Sequence, residues 1–283
     1  MRVNKTKQDV RQFYDKIGWQ KVSEDTYQNA QYEDLRSVSH AYIHKCHLRV
    51  NRYLNRSGRY LLDAGSGPIQ YPEYLTYSAN YTFRVCLDIS IVALEEARER
   101  IKVDHGLFVV GDVANLPFKD NIFDGIVSLH TLHHLPAVDY IPAFYALRRV
   151  LSRGATAVVV NGWSESHFVN FFRKPILLME RIMRKNKENA PQKKQENDSS
   201  SEKKPSGTFV HKLDAHGLRE QLGKEFPIDI KVWRSVSVRF LRALIHPLLL
   251  GRLWLWILYL LEEIFPSYFG EKGQYPLIIF RKK

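Results

Sequence analysis

Cysteine is scarce: the 283-residue chain has only Cys46 and Cys86. They are far apart in sequence and form no Cys-x-x-Cys pair, which argues against a disulfide framework or a cysteine-rich zinc site and favours a reducing, cytoplasmic setting. The first residues, Met-Arg-Val-Asn-Lys, lack the apolar segment of a signal peptide. Long uncharged apolar runs are also missing. Within residues 240–265 the longest run without a charge, His, Pro or Gly is 253–261, whereas a membrane-spanning helix needs about 20 apolar residues.

The overall composition is that of an ordinary globular protein, with 45% apolar and 25% charged residues. The formal net charge is +12, which predicts attraction to an anionic partner such as nucleic acid, a phospholipid surface or a phosphorylated substrate. A basic balance also serves solubility, so the charge alone selects none of these partners.

The hydrophobic pattern changes along the chain. Residues 8–57 show apolar positions at helical spacing, and from Arg59 short apolar runs alternate with amphipathic stretches. Strands separated by helices indicate an α/β fold with a mostly parallel sheet and helices on both faces. The predicted strands are residues 60–64, 83–87, 107–110, 125–129, 155–161, 228–233 and 275–280, and the predicted helices include 70–79, 91–103, 137–151 and 214–223.

Acidic residues and glycines follow the ends of the first three predicted strands. Residues 61–67, Leu-Leu-Asp-Ala-Gly-Ser-Gly, bring an acid and two glycines to a turn that a ligand can approach closely. Asp88 ends the second strand, where a carboxylate suits the two hydroxyls of a ribose. Asp112 follows the third strand, where its carboxylate suits an adenine amino group and the Val113 N–H a ring nitrogen. The GxGxxG pattern of nicotinamide-binding folds is absent, because its last position is Gln70.

In this order, the segments LLDAGSG, VCLDIS, GDVANLPF, FDGIVSLHTLHHLP and RRVLSRG resemble the class I S-adenosylmethionine-dependent methyltransferases. The resemblance covers about residues 58–162 and points to the small-molecule branch that includes the ubiquinone and menaquinone biosynthesis methyltransferases. It implies a Rossmann-like, seven-stranded, mostly parallel sheet with an antiparallel last strand, residues 275–280, and helical insertions. The family often has a third glycine where this chain has Ile69.

The resemblance also implies roles for single residues toward S-adenosyl-L-methionine. Asp63 and Gly65 would lie beside its methionine part, and Asp88 would bind the ribose. The adenine would meet Asp112, and the sulfonium would lie near His130. The full predicted cofactor-binding set is Asp63, Ala64, Gly65, Ser66, Gly67, Asp88, Ile89, Asp112, Val113, Leu129, His130 and Tyr14.

Three histidines are the catalytic candidates. His130, His133 and His134 fall where the acceptor should meet the methyl group, and a neutral imidazole there can take a proton from a hydroxyl. The alternative is that they cap a loop or pack against the cofactor. Alignment of the acceptor can supply about 7–11 kcal/mol of the barrier, which favours positioning over proton transfer.

Two further groups have competing interpretations. His40, His44 and His47, with Cys46, recur at helical spacing as a zinc pair can, but no further ligand completes a site. An ordinary helix surface and no bound metal are therefore predicted. Tyr14 and Trp19, with Tyr32 and Arg36, form either a lid over the cofactor or a simple packing cluster.

The apolar residues 240–265 also have two interpretations. They are predicted to be a helical pair that roofs an acceptor pocket, in preference to a helix lying in a membrane interface with Arg242 and Arg252 toward lipid headgroups. The predicted organisation is a helical cap (1–57), a cofactor-binding core (58–162), a basic insertion (163–213) with disordered residues 184–207, and the end of the sheet (214–283) with an apolar helical insertion (236–270).

The sequence thus predicts a cytoplasmic or peripherally membrane-bound methyltransferase acting at oxygen or carbon of a small hydrophobic or lipid-like acceptor. No Asn/Asp-Pro-Pro-Tyr/Phe segment follows the fourth strand, which argues against methylation of a nucleobase amino group or a glutamine amide. Two alternatives remain. The net charge and Lys-rich residues 184–204 suggest a tRNA methyltransferase, and a non-catalytic S-adenosylmethionine-binding protein would carry the same motifs.

Overall fold

The central element of the protein is a seven-stranded sheet. The structure, a computed structural model, describes residues 2–19, 21–23, 26–27, 33–102, 104–188 and 209–283. In chain order the strands of the sheet are β1 (Gly58–Ala64), β2 (Tyr81–Asp88), β3 (Gly106–Val110), β4 (Phe123–Leu129), β5 (Leu151–Val160), β6 (Asp229–Arg234) and β7 (Tyr275–Arg281).

The strands are ordered β3-β2-β1-β4-β5-β7-β6. Every pair is parallel except those of β7, which runs antiparallel to β5 and to β6. The predicted α/β fold, with an antiparallel last strand, is therefore confirmed. The strand order reverses between β1 and β4, and a ligand crevice forms at the carboxyl ends of strands at such a point.

Helices cover both faces of the sheet. On one face of the sheet the helical residues Phe144, Leu147 and Leu218 are buried, and on the other face Leu94 and Ala97 are buried. The helices are α1 (Arg2–Phe13), α2 (His40–Leu48), α3 (Pro72–Leu75), α4 (Ile91–Arg100), α5 (Ala137–Val150), α6 (His167–Phe171), α7 (Arg173–Glu188), α8 (Ala215–Leu222), α9 (Val238–Leu244), α10 (Gly251–Ile264) and α11 (Pro266–Lys272). The apolar residues of β1 contribute to the hydrophobic clusters on both faces of the sheet. Leu62 and Ala64 belong to one cluster and Leu61 to the other, as the two-residue period of a strand requires.

The prediction that residues 8–57 are helical throughout is wrong. Helix α1 passes into a π-helical turn at Tyr14–Gly18, and two short antiparallel strands, Lys21–Ser23 and Thr26–Tyr27, follow before α2. The first helical stretch ends at Gly18, a residue that disfavours helix.

The prediction that residues 184–207 are disordered is wrong for residues 184–188. Residues 184–188 are the last turn of α7, and residues 189–207 lie outside the described part of the chain. The division of the chain into a cap, a core and two insertions stays a prediction.

The apolar insertion between β6 and β7 folds as α9, a 3-10 turn at Pro247–Leu249, α10 and α11. It is fixed to α2 through the buried Glu262, which accepts hydrogen bonds from Tyr42 Oη at 2.7 Å and Arg49 Nη1 at 2.9 Å. Among the described residues, no helix is both long enough and apolar enough to cross a lipid bilayer.

Candidate active site

A cleft of about 460 Å³ opens at the carboxyl ends of the central strands. Of the twelve residues predicted to bind the cofactor, eleven line it. The exception is Ala64, which is fully buried beneath the turn that follows β1. His133 and His134 also line the cleft, so the structure brings the candidate residues from four strand ends together.

The turn after β1 depends on left-handed backbone. Gly65 and Gly67 have φ of +76° and +54°, a region that is costly for residues with a Cβ. A Cβ on Gly65 would lie 2.2 Å from Cγ2 of Thr131. Ile69, at the position of the family's third glycine, keeps a φ of +55° although it is a β-branched residue. Its side chain is buried in the hydrophobic cluster that contains Leu61 and Leu94. This burial offsets the backbone strain of the left-handed conformation, which is about 1–3 kcal/mol.

Asp88 fixes the turn from the neighbouring strand. Its Oδ2 accepts a hydrogen bond from the Gly67 N–H at 2.9 Å, and its Oδ1 accepts one from the Ser90 N–H at 2.9 Å. Burial raises the pKa of Asp88 to about 6, although the hydrogen bonds from the two backbone N–H groups act to lower it. The carboxylate therefore lies at the cleft with lone pairs left to accept further hydrogen bonds.

Asp63 is neutralised inside the protein. Both Nε and Nη2 of Arg84 on β2 donate to its Oδ2, the first at 3.1 Å, and both side chains are buried. Burial raises the pKa of Asp63, while the Arg84 charge opposes this. The buried arginine was not predicted. Its position on β2, directly beside β1, is the only signal that the sequence offers.

Asp112 is bound to the N-terminal helix. Lys7 Nζ on α1 lies 2.5 Å from Oδ2 of Asp112 and 2.7 Å from Oδ2 of Asp139. Burial lowers the pKa of Lys7, but the two carboxylates outweigh this and raise it overall. The predicted adenine end of the cleft is therefore partly covered by α1, a contact that the sequence pattern did not indicate.

The three candidate histidines are neutral at physiological pH. Burial lowers the pKa of His130 to about 3, and it lowers the pKa of His133 and His134 as well. His133 Nδ1 lies 3.3 Å from Asn161 Oδ1. His134 Nε2 lies 2.9 Å from Tyr14 Oη, so one of these histidines is held by the N-terminal segment.

Aromatic residues from the N-terminal segment line the mouth of the cleft. Tyr14 stacks on Trp19, with ring centroids 5.1 Å apart, and the Trp19 ring lies 3.1 Å from a Cβ built on Gly67. This arrangement agrees with a lid, whose function stays a prediction. Arg36 points elsewhere, pairing with Asp34, and Tyr32 lies outside the described residues.

The histidines of α2 do not form an ordinary exposed surface, so that interpretation is wrong for His47. The side chain of His47 is 1% exposed, and its Nδ1 lies 3.4 Å from Oε2 of Glu73. His44 Nδ1 contacts Oε1 of the same carboxylate at 2.5 Å. Within the described ranges, no three His, Cys, Asp or Glu side chains are grouped to hold a metal ion.

A buried ion pair that the sequence did not indicate stands at the other end of the cleft. Glu33 accepts a short hydrogen bond from Nη1 of Arg234, the last residue of β6, and both line the cleft. Burial opposes ionisation of Glu33, yet the Arg234 charge and His47 hold its pKa at about 2. The sequence offered one signal for this pair, which is that Arg234 directly follows the predicted strand 228–233.

The apolar insertion does not roof this cleft, contrary to the preferred expectation. None of the described residues of 236–270 lines it. Helix α10 instead packs on α2, where Glu262 of α10 accepts a hydrogen bond from Arg49 at the end of α2. The opposite side of α10 lies at the protein surface.

Comparison with known proteins identifies the region that carries the cleft. Residues 62–159 match the family model described as "Methyltransferase domain". This part of the chain is a class I methyltransferase domain. The match and the strand order together confirm the resemblance inferred from the sequence.

Two curated relatives of the methyltransferase domain carry specific names. The chain is 32% identical over 140 residues to a demethylmenaquinone methyltransferase of Staphylococcus saprophyticus, covering 47% of this chain and 59% of that protein. It is 30% identical over 115 residues to the phthiotriol/phenolphthiotriol dimycocerosates methyltransferase of Mycobacterium leprae, covering 40% and 41%. The chain thus spans about half the length of these relatives.

Solved structures share the fold at low identity. Phosphoethanolamine N-methyltransferase 1 of Haemonchus contortus, in complex with phosphoethanolamine and S-adenosylhomocysteine, superposes with a TM-score of 0.60 at 10% identity, over 100% of this chain and 50% of that chain. The [4+2]-cyclase SpnF superposes with a TM-score of 0.53 at 19% identity, over 98% and 96%.

Proposed function

We propose that the chain is an S-adenosylmethionine-dependent methyltransferase acting at oxygen or carbon of a small hydrophobic or lipid-like acceptor. The observation that carries the proposal is the convergence of the glycine turn, Asp88 and Asp112 on one cleft of a methyltransferase domain. The names of the relatives, which concern a menaquinone precursor and phthiotriol lipids, support the hydrophobic acceptor.

The residues of the cleft fit the proposed cofactor. A Cβ at Gly65 would fill the space beside Thr131, so the backbone there is open to a ligand. Asp88 keeps free lone pairs that can accept hydrogen bonds from the ribose hydroxyls. Asp112 already accepts a hydrogen bond from Lys7, and its carboxylate keeps a further lone pair for the adenine amino group. Bound S-adenosylmethionine would supply an electrophilic methyl group.

The protein's own residues would then orient the acceptor and exclude water. His130 and His133 are neutral and half-buried beside the cleft, so either can accept a proton from an acceptor hydroxyl. Tyr14 and Trp19 narrow the opening and reduce the access of water to the reacting groups. We assign the larger share of the rate to positioning, because a fixed acceptor needs no further ordering.

A membrane surface is the proposed source of the acceptor. Helix α10 buries one stripe, yet its opposite side is also apolar: Trp254 and Trp256 are 59% and 53% exposed. Leu248 in the preceding turn is 96% exposed. A helix on the surface of a globular protein normally turns polar residues to water.

The occupant that fits this apolar surface is an anionic bilayer interface. Tryptophan favours the boundary between headgroups and acyl chains, and Arg252 is exposed within the same helix. The net charge of +12 adds attraction to anionic lipids. Peripheral contact through residues 240–265 would place the cleft near acceptors dissolved in the membrane.

Incubation with methyl-labelled S-adenosylmethionine and fractionated cell extract tests the proposed function. We expect label in the lipid fraction. Label in RNA would favour the tRNA methyltransferase alternative. Binding of S-adenosylhomocysteine without transfer to any fraction would favour a non-catalytic binding protein. Absence of affinity for both S-adenosylmethionine and S-adenosylhomocysteine would overturn the proposal.

A further inference from the structure

The two ends of the cleft differ in charge. Asp63, Asp88 and Asp112 lie at the cofactor end. Lys212 and Arg234 line the rest of the cleft, together with the neutral histidines. Neither cation belongs to the set of residues predicted to bind the cofactor, which leaves both for the acceptor.

Lys212 is held over the cleft by its backbone. The residue before it, His211, donates its N–H to the His133 carbonyl at 2.7 Å, and the residue after it, Leu213, accepts from the Ser164 N–H at 3.1 Å. These bonds fix a short segment across the ends of β4 and β5. The Lys212 ammonium reaches Gly162, where a built Cβ would lie 3.1 Å from Nζ.

The charge of Lys212 has no counter-ion in the part of the chain that the structure describes. No hydrogen bond or ion pair of its Nζ occurs there, and burial lowers its pKa. The same charge helps to lower the pKa of His130, His133 and His134. A half-buried ammonium facing neutral imidazoles is electrostatically unfavourable unless a ligand supplies a negative charge.

Arg234 differs from Lys212 because Glu33 already balances its charge. Its Nε is nevertheless buried without a hydrogen-bond partner among the described residues. The guanidinium lies over the Tyr275 ring, 4.8 Å from the centroid. Tyr71 lines the same region of the cleft, so the polar donors are set among aromatic rings.

We propose that Lys212, assisted by Arg234, binds the ionised oxygen of an aromatic or enolic hydroxyl in the acceptor. This inference rests on the proposed function and narrows its acceptor to one that presents an acidic hydroxyl. The Lys212 ammonium and the ionised oxygen then balance each other's charge, and the neighbouring aromatic rings pack against the planar acceptor. Ionisation of the bound hydroxyl releases its proton to solvent, and Lys212 keeps its own.

The test measures the ionisation of a chromophoric phenol in the cleft. 4-Nitrophenol is titrated by absorbance with the full chain in the presence of S-adenosylhomocysteine. We expect the wild type to lower the apparent pKa of the phenol, and Lys212→Met to abolish this shift and weaken 4-nitrophenolate binding about tenfold or more. Lys212→Arg should keep part of the effect. Lys231→Met is the matched control, since it also removes one positive charge but lies outside the cleft.

Two further measurements separate the possible failures. The neutral ether 4-nitroanisole should bind the wild type and Lys212→Met equally. Equal 4-nitrophenolate binding by both proteins, no binding by the wild type, or Lys212-dependent binding of 4-nitrobenzoate instead would overturn the inference. Calorimetry with S-adenosylhomocysteine alone reports on the proposed function: no binding there refutes it, whereas normal binding without a phenolate effect refutes only the role of Lys212.

Discussion

Gly65 and Thr131 approach each other so closely that the smallest side chain at Gly65 would overlap Thr131, with 2.2 Å between the added Cβ and Cγ2. The contact joins the turn after β1 to the loop after β4. These are the two loops that flank the reversal in strand order, and both residues line the cleft.

Gly65→Ala should destabilise the protein and impair cofactor binding. The left-handed backbone costs a Cβ-bearing residue about 1–2 kcal/mol, and the overlap with Thr131 adds about 1–3 kcal/mol. Gly154→Ala is the control, because Gly154 has a similar φ of +77° but nothing within 4 Å of its built Cβ. Urea unfolding should show the larger loss for Gly65→Ala; equal losses would refute the steric argument.

Asp88→Ala should weaken binding of S-adenosylhomocysteine about tenfold to a hundredfold by calorimetry. The reason is that a hydrogen bond to a charged group contributes about 1.5–3 kcal/mol. Asp88→Asn removes the charge and keeps one oxygen acceptor, so it satisfies either the Gly67 or the Ser90 N–H and turns its NH2 group toward the other. Wild-type affinity in both variants would remove Asp88 from the ribose site.

The raised pKa of Asp88 also predicts a pH dependence. Affinity for S-adenosylhomocysteine should fall as the pH decreases through about 6, where the carboxylate takes up a proton. The effect on the free protein has the opposite sign: the folded state binds this proton more tightly than the unfolded state, so the contribution of Asp88 to stability is lost as the pH rises from 3.8 to about 6. An unchanged affinity profile in Asp88→Asn would contradict the assignment.

Glu262→Leu should destabilise the protein by about 3–5 kcal/mol, because it removes the fully buried carboxylate that pairs with Arg49 and accepts hydrogen bonds from Tyr42, leaving Arg49 with the partly exposed Glu263. Glu180→Leu removes an exposed carboxylate paired with Arg239 and should cost about 1 kcal/mol or less. Chemical unfolding of both variants measures the difference. Similar losses would show that the attachment of α10 to α2 is energetically minor.

Leu248→Asn combined with Trp254→Gln should reduce flotation with phosphatidylglycerol-containing vesicles by about tenfold or more, since burying one large apolar side chain contributes about 1.5–3 kcal/mol. Both side chains are exposed, so folding should be retained. Val138→Asn, at another apolar residue that is 66% exposed, is the control. Equal flotation of all variants would remove the membrane from the proposal.

The sequence predicted the sheet well because each strand is a local apolar run. Asp88 and Asp112 were found for the same reason, because Asp88 ends a strand and Asp112 follows one closely. Contacts between distant residues leave no periodic signal: Glu33 and Arg234 are 201 residues apart, and Lys7 and Asp112 are 105 apart.

The apolar insertion shows a second limit of the sequence. Its hydrophobicity was evident, but the surface that it covers was not, because a helix that is apolar on all sides does not indicate which side faces inward. The contact of Glu262 with Arg49 determines that orientation, and the two residues are 213 positions apart.

The position of β7 imposes an order on assembly. Among the described residues, strand β6 pairs with β7 alone, and β7 joins it to β5. During synthesis, β6 therefore has no docking edge until residues 275–281 have left the ribosome. The cationic end of the cleft, which includes Arg234, therefore depends on the last strand of the sheet, whereas Asp63, Asp88 and Asp112 precede that strand by more than half of the chain.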